Sequence, residues 1–319
     1  MTAPDLTTSS VPNRAAVAGN PVAGSVLDAL AEPRRASNQT VRNLRRFLIG
    51  NRLNLVGLSL VVLFLVLSLI GETIAPHDPY GKGDIIHAKL VGPSRDHLLG
   101  TDELGRDVFS RILAGTRVSL QVAAVVLSIS VVVGVVIGAI AGYFGGMVDE
   151  VLMRLTDMFL AFPALVLAIA ISASLGPSLR NTMIALSTVF WPWYARLVRG
   201  QVLSIRERDY VDAARSIGLR SGRILGRHVL PNAMSVVIIQ VTLDVGYAIL
   251  ITSSLSFVGL GAQPPSAEWG LMLSNARNYF REAWWYITFP GVALTLTVFA
   301  FNILGDGVQD ALDPRSSRR

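Results

Sequence analysis

The sequence predicts an all-α, polytopic membrane protein with six transmembrane helices. Three observations carry this reading. Apolar residues make up 51% of the 319 and charged residues only 16%, against about 25% charged in ordinary soluble domains. The charges are clustered, leaving several long stretches with none or one. The basic residues are nearly all Arg, 26 of 28, and fall in blocks beside the apolar stretches. This composition excludes a disordered or collagen-like chain and a small disulfide scaffold. The absence of Cys excludes disulfides, Cys-ligated zinc and thiol chemistry. A net charge of +6 would raise nucleic-acid binding in a soluble protein. Here it marks cytoplasmic loops, and no nucleic-acid partner is expected.

The elements follow in order. Residues 1–46 are rich in Ala, Ser, Thr, Pro and Arg without an apolar run, and read as a flexible cytoplasmic tail rather than a secretory leader. Arg42, Arg45, Arg46 and Arg52 close it, in a stretch suited to an anionic membrane surface. A spanning helix needs about 20 mostly apolar residues, so the gaps between charges locate the spans. Leu53–Gly71 is the first, within a segment drawn at 47–72, and Val118–Val148 the second. Met158–Leu179 is the third, Asn181–Ala195 a short fourth with Pro192 inside, Val229–Ala267 a long fifth broken only by Asp244, and Ala283–Gly305 the sixth.

Charge asymmetry decides the weak fourth span. Eight Arg lie between Arg196 and Arg227, and six lie between Arg34 and Arg52. Both blocks belong on the cytoplasmic side by the positive-inside rule, so an even number of spans separates them. That requires Asn181–Ala195 to be counted and puts both termini inside. The layout is then a tail (1–46), a first helix (47–72), an extracytoplasmic loop (73–117), a five-helix core (118–309) holding a cytoplasmic segment (206–232), and a cytoplasmic tail (310–319). Gln263–Glu282 is a second outer loop, and Trp284, Trp285 and Tyr286 sit where an interfacial aromatic belt belongs.

No catalytic constellation is legible. Three of the four His (His77, His87, His97) recur every ten residues in the outer loop, which matches no usual ligand spacing, and no metal is expected. His228 lies apart. No GxxxxGK[ST] phosphate loop occurs, so ATP is not bound by that route. Gly134, Gly138 and Gly142 make a smooth ridge for close helix packing, within this chain or against another. Asp244 lies 13 residues past Pro231, near mid-membrane. It reads either as a hydrogen-bonded polar contact, with Thr242 or across a helix interface, or as a candidate for a translocation path.

The sharpest signal lies between the fourth and fifth spans. Asp209, Tyr210, Val211, Asp212, Ala213, Ala214, Arg215, Ser216, Ile217 and Gly218 are followed, after nine intervening residues, by His228, Val229, Leu230, Pro231 and Asn232. Two short cytoplasmic helices are expected, with Gly218 at the turn and Pro231 opening the next span. Small Ala213 and Ala214 would leave a flat face for a partner, ringed by Arg.

This spacing resembles the EAA coupling loop of ABC-importer permeases, with Asp212 in place of Glu and His228 at a usually apolar position. Further stretches are similar to the C-type permease subunit of dipeptide, oligopeptide and nickel importers. They are Leu99–Asp107 (LGTDELGRD), Leu255–Gly261 (LSFVGLG), Pro264-Pro265 with Trp269-Gly270, and Leu304-Gly305-Asp306 through Leu312-Asp313-Pro314. The resemblance covers roughly Asn51 to Arg315 and implies a type I ABC importer permease fold in a bacterial inner membrane. It implies a subunit that is not itself an enzyme: half of a heterodimeric pore with a B-type permease. Two cytoplasmic ATPases would bind ATP and Mg, and an extracytoplasmic solute-binding protein would deliver cargo. Asp209, Tyr210, Asp212, Ala213, Ala214, Gly218, His228, Leu230, Pro231 and Asn232 are the implied ATPase-coupling residues. Di- or oligopeptide is the expected cargo; the alternatives are nickel, glutathione or another small solute, or a secondary transporter without ATPases.

Overall fold

Residues 52–81 and 83–312 are described by the computed structural model; both predicted tails, except residues 310–312, lie outside them, as do residues 47–51. Among the described residues the chain forms ten α-helices and one π-helical turn, and no strand beyond an isolated bridge between Thr101 and Asp107. Four of the helices are long and apolar enough to cross a membrane: Arg52–Ile74 (α1), Val108–Phe144 (α2), the continuous stretch Ser221–Phe257, and Trp284–Ala311 within Trp284–Leu312 (α10). A fifth crossing is a bent pair, Gly146–Leu160 (α3) and Ala164–Leu175 (α4). Leu179–Arg206 (α5), which holds the predicted fourth span, has 28 residues. Its length suffices, but four Arg toward its ends and the Asn181, Trp191, Pro192, Trp193 and Tyr194 of its charge-free middle keep its hydropathy below that of the others.

Each departure from the charge-gap reading has a local cause. Helix α2 starts ten residues before Val118, inside the stretch read as loop. Asp107 caps it by accepting a hydrogen bond from the Ser110 amide at 2.8 Å. The charge-free run ends at Arg117, which is exposed; Arg111, six residues earlier, lies inside the helix with its side chain buried. The third span is not one helix. Phe162 precedes Pro163, which disfavours helical backbone there, and α3 and α4 diverge by 85°. The second cytoplasmic helix is not separate either. Ser221–Ile224 (α7) runs through the π turn Leu225–Val229 straight into Leu230–Phe257 (α8), with Pro231 in the first turn of α8.

The glycine ridge of α2 packs within the chain, against α5. A Cβ at Gly138 would overlap the Ala195 carbonyl, and Cβ atoms at Gly134 and Gly142 would crowd Tyr194 and Val202. Helix α1 lies against α2 and α10, with Leu53, Val62 and Leu69 facing outward, as suits a lipid-facing helix.

At one end of α2, residues 75–81 and 83–107, the loop before Trp269–Ala276 (α9) and α9 itself form a layer pinned by buried polar groups. Arg106 pairs with Asp102 at 2.7 Å. The Arg111 guanidinium donates to the Pro79 and Ser266 carbonyls, joining the two loops. Buried Glu268 caps α9, accepting from the Gly270 and Leu271 amides at 2.9 Å and from Ser253 Oγ at 3.0 Å. The indole N–H groups of Trp269 and Trp285 donate to the Ile112 and Thr101 carbonyls. Trp285 and Tyr286, expected in an aromatic belt, are thus buried against this layer.

Candidate functional site

Two places gather the residues that the sequence singles out. The first is the helix Asp209–Ser216 (α6) and the turn after it. With eight residues, α6 is two turns long and depends on packing rather than propensity for its stability. Val211 and Ala214, three apart, are buried and seat α6 on a core that includes Ile224 and Val229. A neighbouring face, about 100° round the helix, presents Tyr210, Ala213 and the C-cap Ile217, spaced three and four apart and all exposed, Ile217 at 76%. Of the two alanines expected to face a partner, only Ala213 is exposed. Ala214 faces inward because α6 must bury one stripe to stay attached.

The α6 terminus closes as a Schellman-type turn. The Leu219 amide donates to the Ala214 carbonyl at 3.2 Å and the Gly218 amide to Arg215 at 2.9 Å, with Gly218 at φ +79°. Glycine carries this left-handed backbone without a Cβ penalty. Asp212 pairs with Arg215 at 2.9 Å on the exposed surface. Asn232 ties the segment to α8: its Nδ2 donates to the His228 carbonyl at 2.6 Å and lies 3.4 Å from the Tyr210 hydroxyl. The two halves of the motif, 22 residues apart, therefore meet. Leu230 is half-buried beneath them, Pro231 is exposed in the first turn of α8, and Asp209 opens α6 with its side chain in solvent.

The second place is Asp244, halfway along α8. The Tyr194 hydroxyl of α5 donates to Asp244 Oδ2 at 2.6 Å, and Gln240 Nε2, one turn earlier, donates to Oδ1 at 2.9 Å. The expected partner Thr242 instead returns its hydroxyl to the Ile238 carbonyl. Asp244 is thus a contact across a helix interface with both oxygens satisfied, and one edge opens onto a cavity of about 320 Å³. Leu160, Ala164, Phe190, Trp193 and Tyr247 also line it, with Phe190 and Tyr247 stacked at 5.6 Å. Tyr194 was invisible to sequence reasoning because nothing in α5 marks which tyrosine faces α8.

A third grouping was missed entirely. His77 and His97 meet at Asp107, with ring centroids 4.8 Å apart, while His87 turns away to Asp84 at 3.0 Å. Regular spacing in sequence hid an irregular selection in space.

Residues 134–318 match the family described as binding-protein-dependent transport system inner membrane component, and residues 40–93 match the N-terminal transmembrane domain of oligopeptide transport permease C. The chain is 42% identical to a probable D,D-dipeptide transport system permease, DdpC, of Escherichia coli K12, over 84% of this chain and 89% of that one. It is 43% identical to the dipeptide permease DppC of Alkalihalophilus pseudofirmus, over 83% and 86%. It is 44% identical to the glutathione permease GsiD of Escherichia coli O6:K15:H31, over 80% and 84%. In fold it is similar to a chain of the inward-facing MetNI methionine ABC transporter, with a TM-score of 0.50 at 16% identity, covering 63% of this chain and 96% of that one.

Proposed function

The chain belongs to the binding-protein-dependent transport system inner membrane components, in the C-type peptide-permease branch, and from that premise we propose that it forms half of the pathway of an ATP-driven importer of di- and oligopeptides. It is a multi-pass inner-membrane transport subunit whose family works with ATPase partners. The finer reading assigns it a B-type permease as the other half, two cytoplasmic ATPases that hold ATP and Mg, and a solute-binding protein outside. Both termini and α6 then lie in the cytoplasm, and the pinned loop layer faces outward as the docking floor for the binding protein. The chain carries no hydrolytic chemistry of its own in this reading.

One observation carries the coupling role. Helix α6 and its C-cap offer an exposed apolar stripe, Tyr210–Ala213–Ile217, beside a stripe that is buried in the core, and the chain continues after the Gly218 turn through α7 into α8. A push on that stripe is delivered to the helix holding Asp244. The test is Ala213→Trp together with Gly218→Val in the assembled complex. Both variants should reach the membrane, lose ATPase binding or stimulation, and abolish import. Gly218→Val acts by placing a β-branched residue at positive φ, where strain is severe. Normal import by both would sink the coupling role and favour a transporter that needs no ATPase.

Glutathione is the second cargo reading, favoured by the near-equal identity to GsiD; it is itself a tripeptide. Mass spectrometry of the ligand retained by the cognate binding protein separates the two.

A further inference from the structure

We propose that His77, His97 and Asp107 form a zinc site at the N-terminus of α2. One donor atom from each lies within 4.8 Å of the others. His97 Nδ1 is 3.0 Å from Asp107 Oδ1, and His77 Nδ1 is 3.8 Å from Asp107 Oδ2. Ligands held about 2.1 Å from a tetrahedral zinc stand roughly 3.4 Å from each other. The separations here bracket that value, so small side-chain rotations complete the triangle. In the Nε2–H tautomer each ring presents a bare Nδ1 to the ion.

The donor set selects the metal class. Two imidazoles suit zinc and its first-row neighbours rather than Mg or Ca, which prefer all-oxygen cages. Two His and one carboxylate with an open fourth position is a recurrent zinc arrangement. Exposure is graded to match: the Asp107 side chain is 2% exposed, His97 18% and His77 44%. The carboxylate is buried, and one edge remains open for a water ligand and for entry.

The shell behind the donors is already organised. Ser110 donates to Asp107 Oδ2 from both its amide and its hydroxyl, at 2.8 and 2.7 Å, and the His77 amide donates to Ser110 Oγ at 3.1 Å. The His97 backbone is held by Ser94 and Gly100, its carbonyl accepting at 2.8 and 2.9 Å. Such support is what orients metal ligands and raises affinity. Nearby Asp102 is engaged by Arg106 and Arg111, leaving Asp107 as the carboxylate presented to both rings. Bound zinc would tie the segment after α1, the turn at His97 and the cap of α2 into one rigid corner. The Asp84–His87 pair offers only two donors, with side chains 54% and 79% exposed, and serves as the internal control.

The experiment uses the full-length chain purified in detergent in its assembled complex, stripped with chelator and titrated with Zn²⁺ alone. Wild type should hold one zinc per copy at this site, and His77→Gln and His97→Gln should each weaken that binding at least about tenfold. His87→Gln should bind as wild type does. Zinc should also raise the thermal midpoint of wild type and of His87→Gln but not of the other two. All four midpoints in chelator should coincide, which separates lost binding from lost folding. Equal zinc binding by wild type and both site variants, or none by a natively folded wild type, would overturn the site and leave the trio as a hydrogen-bonded helix cap.

Discussion

Asp244 shows how a carboxylate is kept inside a membrane helix bundle: each oxygen receives a donor, one from α5 and one from its own helix. Asp244→Asn keeps one acceptor oxygen, and its amide NH2 can donate to the Tyr194 hydroxyl in place of the bond now accepted from it, so the cost is about 1 kcal/mol from the lost charge assistance. The expected outcome is normal assembly and most of wild-type import. If import vanishes while assembly and ATPase stimulation persist, the carboxylate belongs to the translocation path. Tyr194→Phe removes the cross-helix donor and leaves Oδ2 unsatisfied at a cost of about 1–3 kcal/mol, read as a lower thermal midpoint. Ala214 supplies a second residue-scale test. At 6% exposure inside the α6 seat, an indole there overpacks the core by about 1–3 kcal/mol or more. Ala214→Trp should lower the midpoint of the permease itself, whereas Ala213→Trp should not. Equal midpoints for the two would mean α6 does not pack as described.

Elements pair here through small residues. In a membrane there is no hydrophobic force between apolar helices, so close backbone approach and dispersion must hold them together. The α2–α5 contact is built this way, with Gly138 set directly against the Ala195 carbonyl. Gly138→Leu would wedge the two helices apart. Since α5 carries Tyr194, the change should both reduce the amount of folded permease recovered and disturb Asp244. A wild-type yield and midpoint for Gly138→Leu would contradict the contact. The bend between α3 and α4 is also an element-scale device. It brings Leu160 and Ala164, on either side of the break, to the same cavity wall.

For the whole molecule, the claim at stake is which loops face which side. Arg between residues 196 and 227 and the opposed loop layer imply a fixed orientation. A reporter fused after Gly218 should read cytoplasmic and one after Lys89 extracytoplasmic. The same side for both would remove the odd number of crossings between Lys89 and Gly218, and with it the six-span arrangement.

Helical class, most of the membrane crossings and the family were legible in the sequence, because transfer of apolar side chains to lipid and exclusion of charge from it act on composition over about 20 residues at a time. The helix and turn over Asp209–Gly218 were legible because their pattern is local and Gly218 reports its own backbone. Tertiary structure alone decided the rest. Arg111 sits in a stretch read as outer loop, yet it belongs to α2 and is buried between two carbonyls that lie far from it in sequence. Ala213 and Ala214 look alike in sequence, and only the seat of α6 sends one outward and one inward. Tyr194 reaches Asp244, and His97 rather than His87 joins His77 at Asp107, because side-chain partnership depends on which faces the packed helices turn toward each other, a long-range property that no window of sequence contains.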